Sequence, residues 1–318
     1  MVKDVSKTKI ASFHVGYATG SNQVPIPAQL IVYAATVDST ADTNAFVLPV
    51  FNPSNDPNLI IPLDMSHMSD FFDGVDNLFQ KWFRSNSLDG ESYSMTNSWS
   101  ANTVLPVYTV GDYNFSIMPN KKDFNRIDRS KLTINPGAKV AIDAHTDDYS
   151  FIVCQFFKKG KLNISPFGYL CTHQSPTTAM IIPTVHGHPH DENIMPQING
   201  IGYVPNIRLN FGSGSNVVFE DTAHFDHEIY VLFRLPDSTV DSTSRIRLDG
   251  DDLRNFNTIL KQITHDYRKL PVKLYVPKNV MPKKIKIKGT EKNRNFAVDP
   301  VNSYFYTDLL VDPVHTDR

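Results

Sequence analysis

The sequence predicts an all-β fold of antiparallel strands with few helices. Short segments rich in Val, Ile, Tyr and Phe are separated by Pro, Gly, Asn and Asp about every 8–12 residues, a spacing typical of a sandwich or barrel. The 21 prolines lie at the ends of these segments, where a sheet tolerates proline. Strands do not alternate with crossover helices, which argues against a doubly wound parallel sheet.

The predicted strands share this apolar character and are bounded by turn residues. In the first part of the chain they are Ile10–Tyr17, Gln29–Thr36, Ala45–Val50, Leu59–Leu63, Val104–Val110 and Tyr113–Ile117. In the rest they are Leu132–Ile134, Lys139–Ala144, Ser150–Phe157, Lys161–Ile164, Ala179–Thr184, Ile207–Phe211, Asn216–Phe219, Glu228–Leu235, Ser244–Leu248, Val272–Val276, Lys283–Lys288 and Ser303–Leu310.

One helix is predicted over Met68–Phe83, where apolar residues recur with helical spacing on a single face. That face is unusually aromatic, and its large residues are Phe71, Phe72, Phe79, Trp82 and Phe83. Because capping one small barrel needs fewer aromatic rings, we expect part of this face to pack against a neighbouring barrel or subunit.

A second helix is predicted over Asp251–Lys269, and Pro271 ends it. Each helix follows a strand that ends in Leu-Asp and precedes a Leu-Pro-Val segment. The matches are short and their spacing differs, so chance and a true repeat both remain open. A true repeat predicts two β units, each with one inserted amphipathic helix, divided as residues 1–128 and 129–318.

Composition excludes several classes of protein. The chain has 318 residues, 41% hydrophobic and 20% charged, with 20 Phe and 13 Tyr, so it has enough apolar area for a packed core. Its net charge of −2 lacks the basic excess of a protein that neutralises phosphates. No apolar run approaches the ~18 residues that span a bilayer. The two cysteines are predicted to be buried free thiols.

Histidines and carboxylates are concentrated in two segments, His186–Glu192 and His224–Glu228. The candidate metal ligands are His186, His188, His190, His224 and His227, since imidazole suits Zn²⁺, Mn²⁺ or Fe²⁺. The first segment resembles half of a cupin motif, but Glu192 follows His190 too closely and no Pro-x-Gly block precedes His224. We therefore expect polar surface loops with no catalytic metal and no cofactor.

Motifs for covalent or nucleotide chemistry are missing from the sequence. Gly212–Ser215 is not a nucleophile elbow, because no helical pattern follows it, and no phosphate-binding glycine loop occurs. These observations favour a protein that is not an enzyme.

A basic segment near the C-terminus contains Lys283, Lys284, Lys286 and Lys288. The last three alternate with isoleucines, so they should lie on one face of a strand. One interpretation is a solvated face that blocks edge pairing. The other is a patch for anionic lipid, nucleic acid or an acidic partner.

A chain of this size that is nearly all β, with a helix after each of two Leu-Asp strand ends, resembles the double jelly-roll major capsid proteins of tailless, membrane-containing icosahedral viruses. The segment Arg245–Leu253 looks like a strand–turn–helix step of the phage members. The resemblance implies two jelly-roll barrels side by side, trimers with a hexagonal outline, and no catalytic residues.

The resemblance also implies partners and a location. The partners would be copies of the chain, first as a homotrimer and then in the capsid lattice, together with minor capsid proteins and an underlying membrane. The location would be the virion, after synthesis in the host cytoplasm. Because a lipid layer separates such a shell from the genome, a near-neutral chain without direct sequence-specific nucleic-acid contacts is expected there.

Two alternatives stay open. One is a soluble, cupin-like β-sandwich enzyme or sugar-binding protein that uses the His186–Glu192 and His224–Glu228 loops with a metal. The other is a virion or surface accessory protein with one large sandwich. The sequence features that favour a major capsid protein would fit this protein equally well.

Overall fold

A nine-stranded sheet forms the centre of the structure, which is a computed structural model. The structure describes residues 2–19, 25–39, 44–83, 90–91, 104–134, 138–143, 145–157, 160–172, 180–184, 207–211, 217–234, 248, 250–277, 280–292, 296–298, 301–302 and 305–306.

The described strands confirm the predicted all-β class. They are β1 Val2–Thr19, β2 Ile26–Ser39, β3 Asn44–Phe51, β4 Ile60–Leu63, β5 Gly90–Glu91, β6 Tyr108–Val110, β7 Tyr113–Met118, β8 Tyr149–Phe156, β9 Gly160–Asn163, β10 Phe167–Cys171, β11 Met180–Ile182, β12 Ile207–Phe211, β13 Val217–Arg234, β14 Val272–Tyr275, β15 Val280–Lys292, β16 Phe296–Val298, β17 Val301–Asn302 and β18 Phe305–Tyr306.

The helices are few and short. They are α1 Phe71–Phe83, α2 Ala138–Asp143 and α3 Gly250–Leu260, with 3-10 helices at Pro57–Leu59 and Lys121–Arg126. Among the described residues, none of these helices has the length and hydropathy needed to cross a membrane.

The large sheet combines strands from the two ends of the chain, whereas the second sheet is built from strands within residues 44–156. The large sheet has the order β12-β13-β1-β2-β10-β4, with β14 beside β1, β15 beside β13 and β9 beside β2. The second sheet has the order β3-β8-β7-β6. Since β8 and β10 pair with strands that precede residue 128, the described strands do not divide into two barrels at the predicted 128/129 boundary.

One pairing also departs from the predicted antiparallel arrangement. β1 and β13 are parallel, with Thr8 opposite His227 and Phe13 opposite Leu232. The long connection between them supplies most of the remaining strands, as parallel pairing requires a crossover. β13 replaces the two separate strands predicted over its length.

The central strands of the large sheet are buried on both faces, and this decides the layering. Along β1, Ala11, Phe13 and Val15 face a layer formed by α1 and α3. Ile10, on the alternate side, faces the second sheet, which packs over what we call the inner face. A third cluster covers the far side of the second sheet with the segment Leu105–Ile142.

Helices α1 and α3 lie side by side on the same sheet, so they do not cap separate barrels. A Cβ on Gly74 would lie 3.2 Å from Ile259 Cδ1, which shows how closely the helices approach. The ring of Phe79 makes edge-to-face contacts with the rings of Tyr230 and Phe256, at 5.2 and 5.6 Å between ring centroids.

The predicted interface residues of this helix are core residues of their own chain. Phe71, Phe72 and Phe79 are almost completely buried between α1, α3 and the large sheet. These three rings are therefore buried inside their own chain and do not form a surface for a neighbouring subunit. Of the expected contacts, the structure shows packing against the other predicted unit, because Phe79 contacts Phe256 of α3. The side chains of Trp82 and Phe83 lie outside the described residues.

Several predicted elements have a different structure. Leu132–Ile134, predicted as a strand, has no regular secondary structure, although Leu132 and Ile134 are buried. The predicted strand Lys139–Ala144 overlaps α2, Ala138–Asp143, in which Lys139 pairs with Asp143 one helical turn later, and Ala144 lies outside the described residues. The second helix ends at Leu260 instead of Lys269 because the buried carboxylate of Asp266 folds the chain back. That carboxylate accepts hydrogen bonds from the backbone N–H groups of Arg268 and Leu270 at 2.7 and 3.0 Å.

Phe79→Ala should lower the free energy of unfolding by about 3–5 kcal/mol, because it opens a cavity among aromatic rings that cannot close in. Leu270→Ala is the control, since Leu270 is 47% exposed, and it should change stability by less than about 0.5 kcal/mol. Urea unfolding measures both. Equal, small effects would show that the α1 face is not part of the core.

Candidate functional site

An open cavity of about 220 Å³ lies at one end of the inner face of the large sheet. At this end Gly16 of β1 stands between Pro27 of β2 and Tyr275 of β14 in one cross-strand row. Tyr275 is 40% exposed and Pro27 is also exposed, so the described elements leave this end of the sheet uncovered. We call it the Gly16 cavity.

The cavity depends on the missing side chain of Gly16. A Cβ there would lie 3.0 Å from Pro25 Cβ and 3.8 Å from Tyr275 Cβ, so any side chain would enter the space between the neighbouring residues. The glycine is not needed for backbone strain, since its φ is not positive. A glycine inside a strand is typical of a place where another group approaches closely.

The walls of the cavity are mainly apolar. They are formed by Val15, Pro25, Pro27, Ala28 and Pro277, with the ring of Tyr275. The polar residues of the lining are His14 and Arg234.

The histidine of the lining is neutral at pH 7. His14 Nδ1 accepts a hydrogen bond of 3.0 Å from the backbone N–H of Arg234, which places the imidazole proton on Nε2. Burial, with a smaller contribution from the nearby positive charge of Arg234, lowers the pKa of His14 to about 3. Its Nε2 has no hydrogen-bond partner. The formal charge of the lining is therefore that of Arg234.

A buried polar group next to the cavity marks the end of the apolar core. Gln29, opposite His14 in the sheet, donates to Ser12 Oγ at 2.7 Å and to the carbonyl of Ile181 at 2.9 Å. The second bond holds β11 over the inner face. Beyond this contact the inner face opens into the Gly16 cavity.

The chemistry of the cavity suits binding more than catalysis. A neutral imidazole whose pKa lies far below 7 cannot exchange protons efficiently there, and the lining offers no thiol or carboxylate nucleophile. In the part of the chain that the structure describes, no three His, Cys, Asp or Glu side chains are arranged to hold a metal ion. Cys154 and Cys171 are free and buried, as predicted, and burial raises the pKa of both thiols.

Most of the predicted histidine sites lie outside the described part of the chain. His186, His188, His190 and Glu192 lie outside the described residues, as does the side chain of His224. The segment His224–Glu228 is part of β13 and not a surface loop. Because neighbours on a strand point to opposite faces, buried His227 and Glu228 cannot share a ligand.

The predicted lysine patch is partly an internal ion-pair cluster. Lys284, only 14% exposed, contacts Asp76 of α1 and lies 3.5 Å from Glu228, and Lys286 lies 2.6 Å from Glu228. The hydroxyl of Tyr230 lies 2.9 Å from Asp76 and 2.8 Å from Glu228, and it donates to one of them at a time. These contacts attach α1 to the sheet.

The cluster keeps its carboxylates ionised. Burial would raise the pKa of Asp76, but hydrogen bonds from Lys284, Tyr230 and Gln80 outweigh burial and lower it. The other lysines of the predicted patch differ in exposure, since Lys283 is half-buried and Lys288 is exposed. A continuous solvated lysine face is therefore not present.

The Gly16 cavity was not found from the sequence. The available signals were a glycine inside an apolar strand and two prolines, Pro25 and Pro27, at the start of the next strand. These residues form a cavity only together with β14 and the end of β13, which are distant in sequence.

Comparisons with known proteins add little to this site. No family model matches the sequence. Among solved structures, the crystal structure of baculovirus P35 is similar with a TM-score of 0.36 and 11% identity, over 95% of this chain and 98% of that chain. A likeness at this level does not define a fold family or a function for this chain.

His14 should make the protein less stable in mild acid. Its folded pKa of about 3 lies below the ordinary value of 6.5, so its contribution is complete above pH 6.5 and is lost as pH falls toward 3. His14→Asn, which keeps an acceptor for Arg234, should show a smaller loss of unfolding free energy between about pH 7 and pH 5. Urea unfolding at several pH values measures this. Parallel curves for the two proteins would contradict the burial of a neutral imidazole.

Proposed function

We propose that this protein is a non-catalytic binding protein, and that it holds its partner at the Gly16 cavity. The observation that carries the proposal is the cavity itself, an apolar recess beside Gly16 at the end of the sheet that the described residues leave uncovered. Concave, mainly apolar sites with a few polar groups are the usual form of a binding site.

The ionisable groups support a non-catalytic role. The carboxylates with resolved pKa shifts, Asp64, Asp76, Asp128, Asp147 and Glu228, all have lowered pKa values and lie beside lysines or hydrogen-bond donors. Such carboxylates stay ionised at pH 7 and hold the structure together. A general acid needs the opposite shift.

The second candidate function is structural, as a virion or surface protein built on one large sandwich. It keeps the resemblance to viral shell proteins while the two-barrel form lacks support from the strand pairing. The observation behind it is that large apolar side chains are exposed on separate elements, and contacts with neighbouring copies would remove their apolar area from water. They are Ile26, Val104, Phe157 and Leu270.

A fragment screen by NMR on the full chain tests the primary proposal. Fragments should shift the amide signals of Gly16 and Tyr275, because these residues line the cavity. Gly16→Val should abolish those hits by filling the space. Gly250→Ala is the control and should retain them, because a Cβ there makes only an ordinary contact, at 3.5 Å from Arg254, and the φ of Gly250 is not positive. A screen without any hit at these residues would refute a binding role for the cavity.

Light scattering tests the structural candidate. A shell subunit should form trimers or larger assemblies at micromolar concentration, and Phe157→Asp should weaken them by placing a charge in an apolar contact. Lys161→Asp is the control, because it also adds a negative charge close in sequence to Phe157 but replaces a residue that is already polar and exposed, so it should leave the assemblies intact. A strictly monomeric wild-type protein would count against this candidate.

A further inference from the structure

We propose that the Gly16 cavity binds an uncharged carboxamide carried on a compact apolar group. The inference deepens the binding role proposed above and rests on it, because it names the chemistry of the partner at the same site. It is carried by two buried, unpaired polar atoms on the inner face, and by the size and walls of the cavity beside them.

Two polar side chains at the cavity are buried and incompletely paired. His14 is 4% exposed and Gln29 is fully buried, and they lie directly opposite each other on β1 and β2, so they share the inner face. Within the part of the chain that the structure describes, His14 Nε2 and Gln29 Oε1 have no hydrogen-bond partner and do not bond to each other. Buried polar atoms are normally paired, so these two atoms indicate a missing polar group.

The other hydrogen bonds of the two side chains fix what each unpaired atom can do. His14 Nδ1 accepts from the backbone N–H of Arg234, so Nε2 carries the proton and is a donor. Gln29 Nε2 donates to the carbonyl of Ile181 at 2.9 Å, and since a carbonyl can only accept, the amide cannot be flipped and Oε1 is an acceptor. A carboxamide offers the complementary pair, a carbonyl oxygen that accepts and an N–H that donates.

The two atoms favour an uncharged group over an ion. His14 is neutral at pH 7, and Arg234 already has an interaction partner of its own, so no charge in the lining is assigned to the ligand. A carboxylate has no proton for Gln29 Oε1, and an ammonium group cannot accept from His14 Nε2. Either ion would also lose its hydration on entering a mainly apolar cavity.

The walls and the size of the cavity define the rest of the ligand. The lining is mainly hydrocarbon without side-chain donors or acceptors, from Val15, Pro25, Pro27, Ala28 and Pro277. An apolar group gains from leaving water here, and proline rings are already rigid, so little ordering is lost. At about 220 Å³ the cavity is smaller than the ~300–1,000 Å³ of sites for drug-sized ligands, so one branched or aromatic group of a few carbons fits.

The ligand is expected to enter with its amide first. His14 is part of the cavity wall and Gln29 follows Ala28 of the same wall, so the amide lies at the polar end and the apolar body stays among the proline rings. Because His14 Nε2 and Gln29 Oε1 are covered in the structure, the amide must part the side chains over them. The same chemistry is offered by a free amide and by a peptide bond next to an apolar side chain.

The test is an NMR titration of the full chain with three probes of one shape. 3-Methylbutanamide donates and accepts, 4-methylpentan-2-one has a methyl group in place of the NH₂ and only accepts, and 3-methylbutanoate is charged and only accepts. We expect the amide to bind about threefold or more tightly than the ketone, as one net hydrogen bond provides, and the carboxylate to bind most weakly. A ketone or carboxylate that binds as tightly as the amide overturns the proposal.

The imidazole signal of His14 reports the contact directly. Binding of 3-methylbutanamide should move the Nε2–H proton of His14 downfield, together with the amide signals of Gly16 and Tyr275, because Nε2 gains an acceptor. An Nε2–H signal that stays unchanged while the probe saturates the cavity would show that water already pairs with this atom, and would overturn the proposal.

Two variants with the same substitution locate the preference for amides. Gln29→Met removes the acceptor at nearly constant volume, so it should reduce amide binding to the level of the ketone and leave ketone binding unchanged. Gln155→Met is the matched control, because Gln155 is a buried glutamine of β8 outside the cavity lining, and it should keep the preference. Equal losses in the two variants would overturn the assignment to Gln29. If Gln29→Met does not fold, the probe series and the His14 signal of the wild-type protein still decide.

The outcomes separate this inference from the binding role. Fragment hits at the cavity without a preference for the amide would refute only the chemistry, whereas no binding of any kind would refute both. N-acetyl-leucine methylamide identifies the source of the amide. Tighter binding of this compound than of 3-methylbutanamide indicates a peptide, and weaker binding indicates a free amide.

Discussion

The fold is determined by the central strands of the large sheet, whose apolar side chains must be buried on both faces. β1 and β2 carry apolar residues on alternate sides, and Ile10 and Phe13 are completely buried on opposite faces. A sheet with such strands is stable in water only between two further layers. The α1/α3 pair supplies one layer and the β3-β8-β7-β6 sheet supplies the other, which draws distant parts of the chain into one body.

Polar contacts hold the layers in place at their margins. The turn at Asp266 returns the chain from α3 to the large sheet. It places the ring of Tyr267 4.7 Å from the ring of Tyr108, measured between centroids, against the core that lies between the two sheets. The Tyr230 cluster joins α1 to β13 and β15. The lysines and carboxylates of the Tyr230 cluster contact one another inside the protein, so their charges stabilise the fold.

The sequence predicted local structure far better than it predicted the assembly of elements. Strand positions such as Ile207–Phe211 and the start of the second helix were predictable because periodicity is a property of neighbouring residues. The parallel pairing of β1 with β13 was not, since nothing local in either strand encodes a partner about 220 residues away. For the same reason the lysines of β15 looked solvent-facing, although Asp76 on α1 meets Lys284. The cavity could not be predicted for the same reason. Its glycine is visible in the sequence, but its walls come from four strands, and from the ends of those strands, that are distant in sequence.

The open end of the inner face can be a binding site only if β1 belongs to one sheet shared by the two ends of the chain. The most direct test is the measurement of nuclear Overhauser effects between backbone protons of β1 and β13 in the intact protein. The structure predicts a parallel pattern that pairs Ser12 with Val231 and Ile10 with Ile229. If these contacts are absent, and the strands within residues 1–128 contact only one another, the single sandwich and the site at its end are both contradicted.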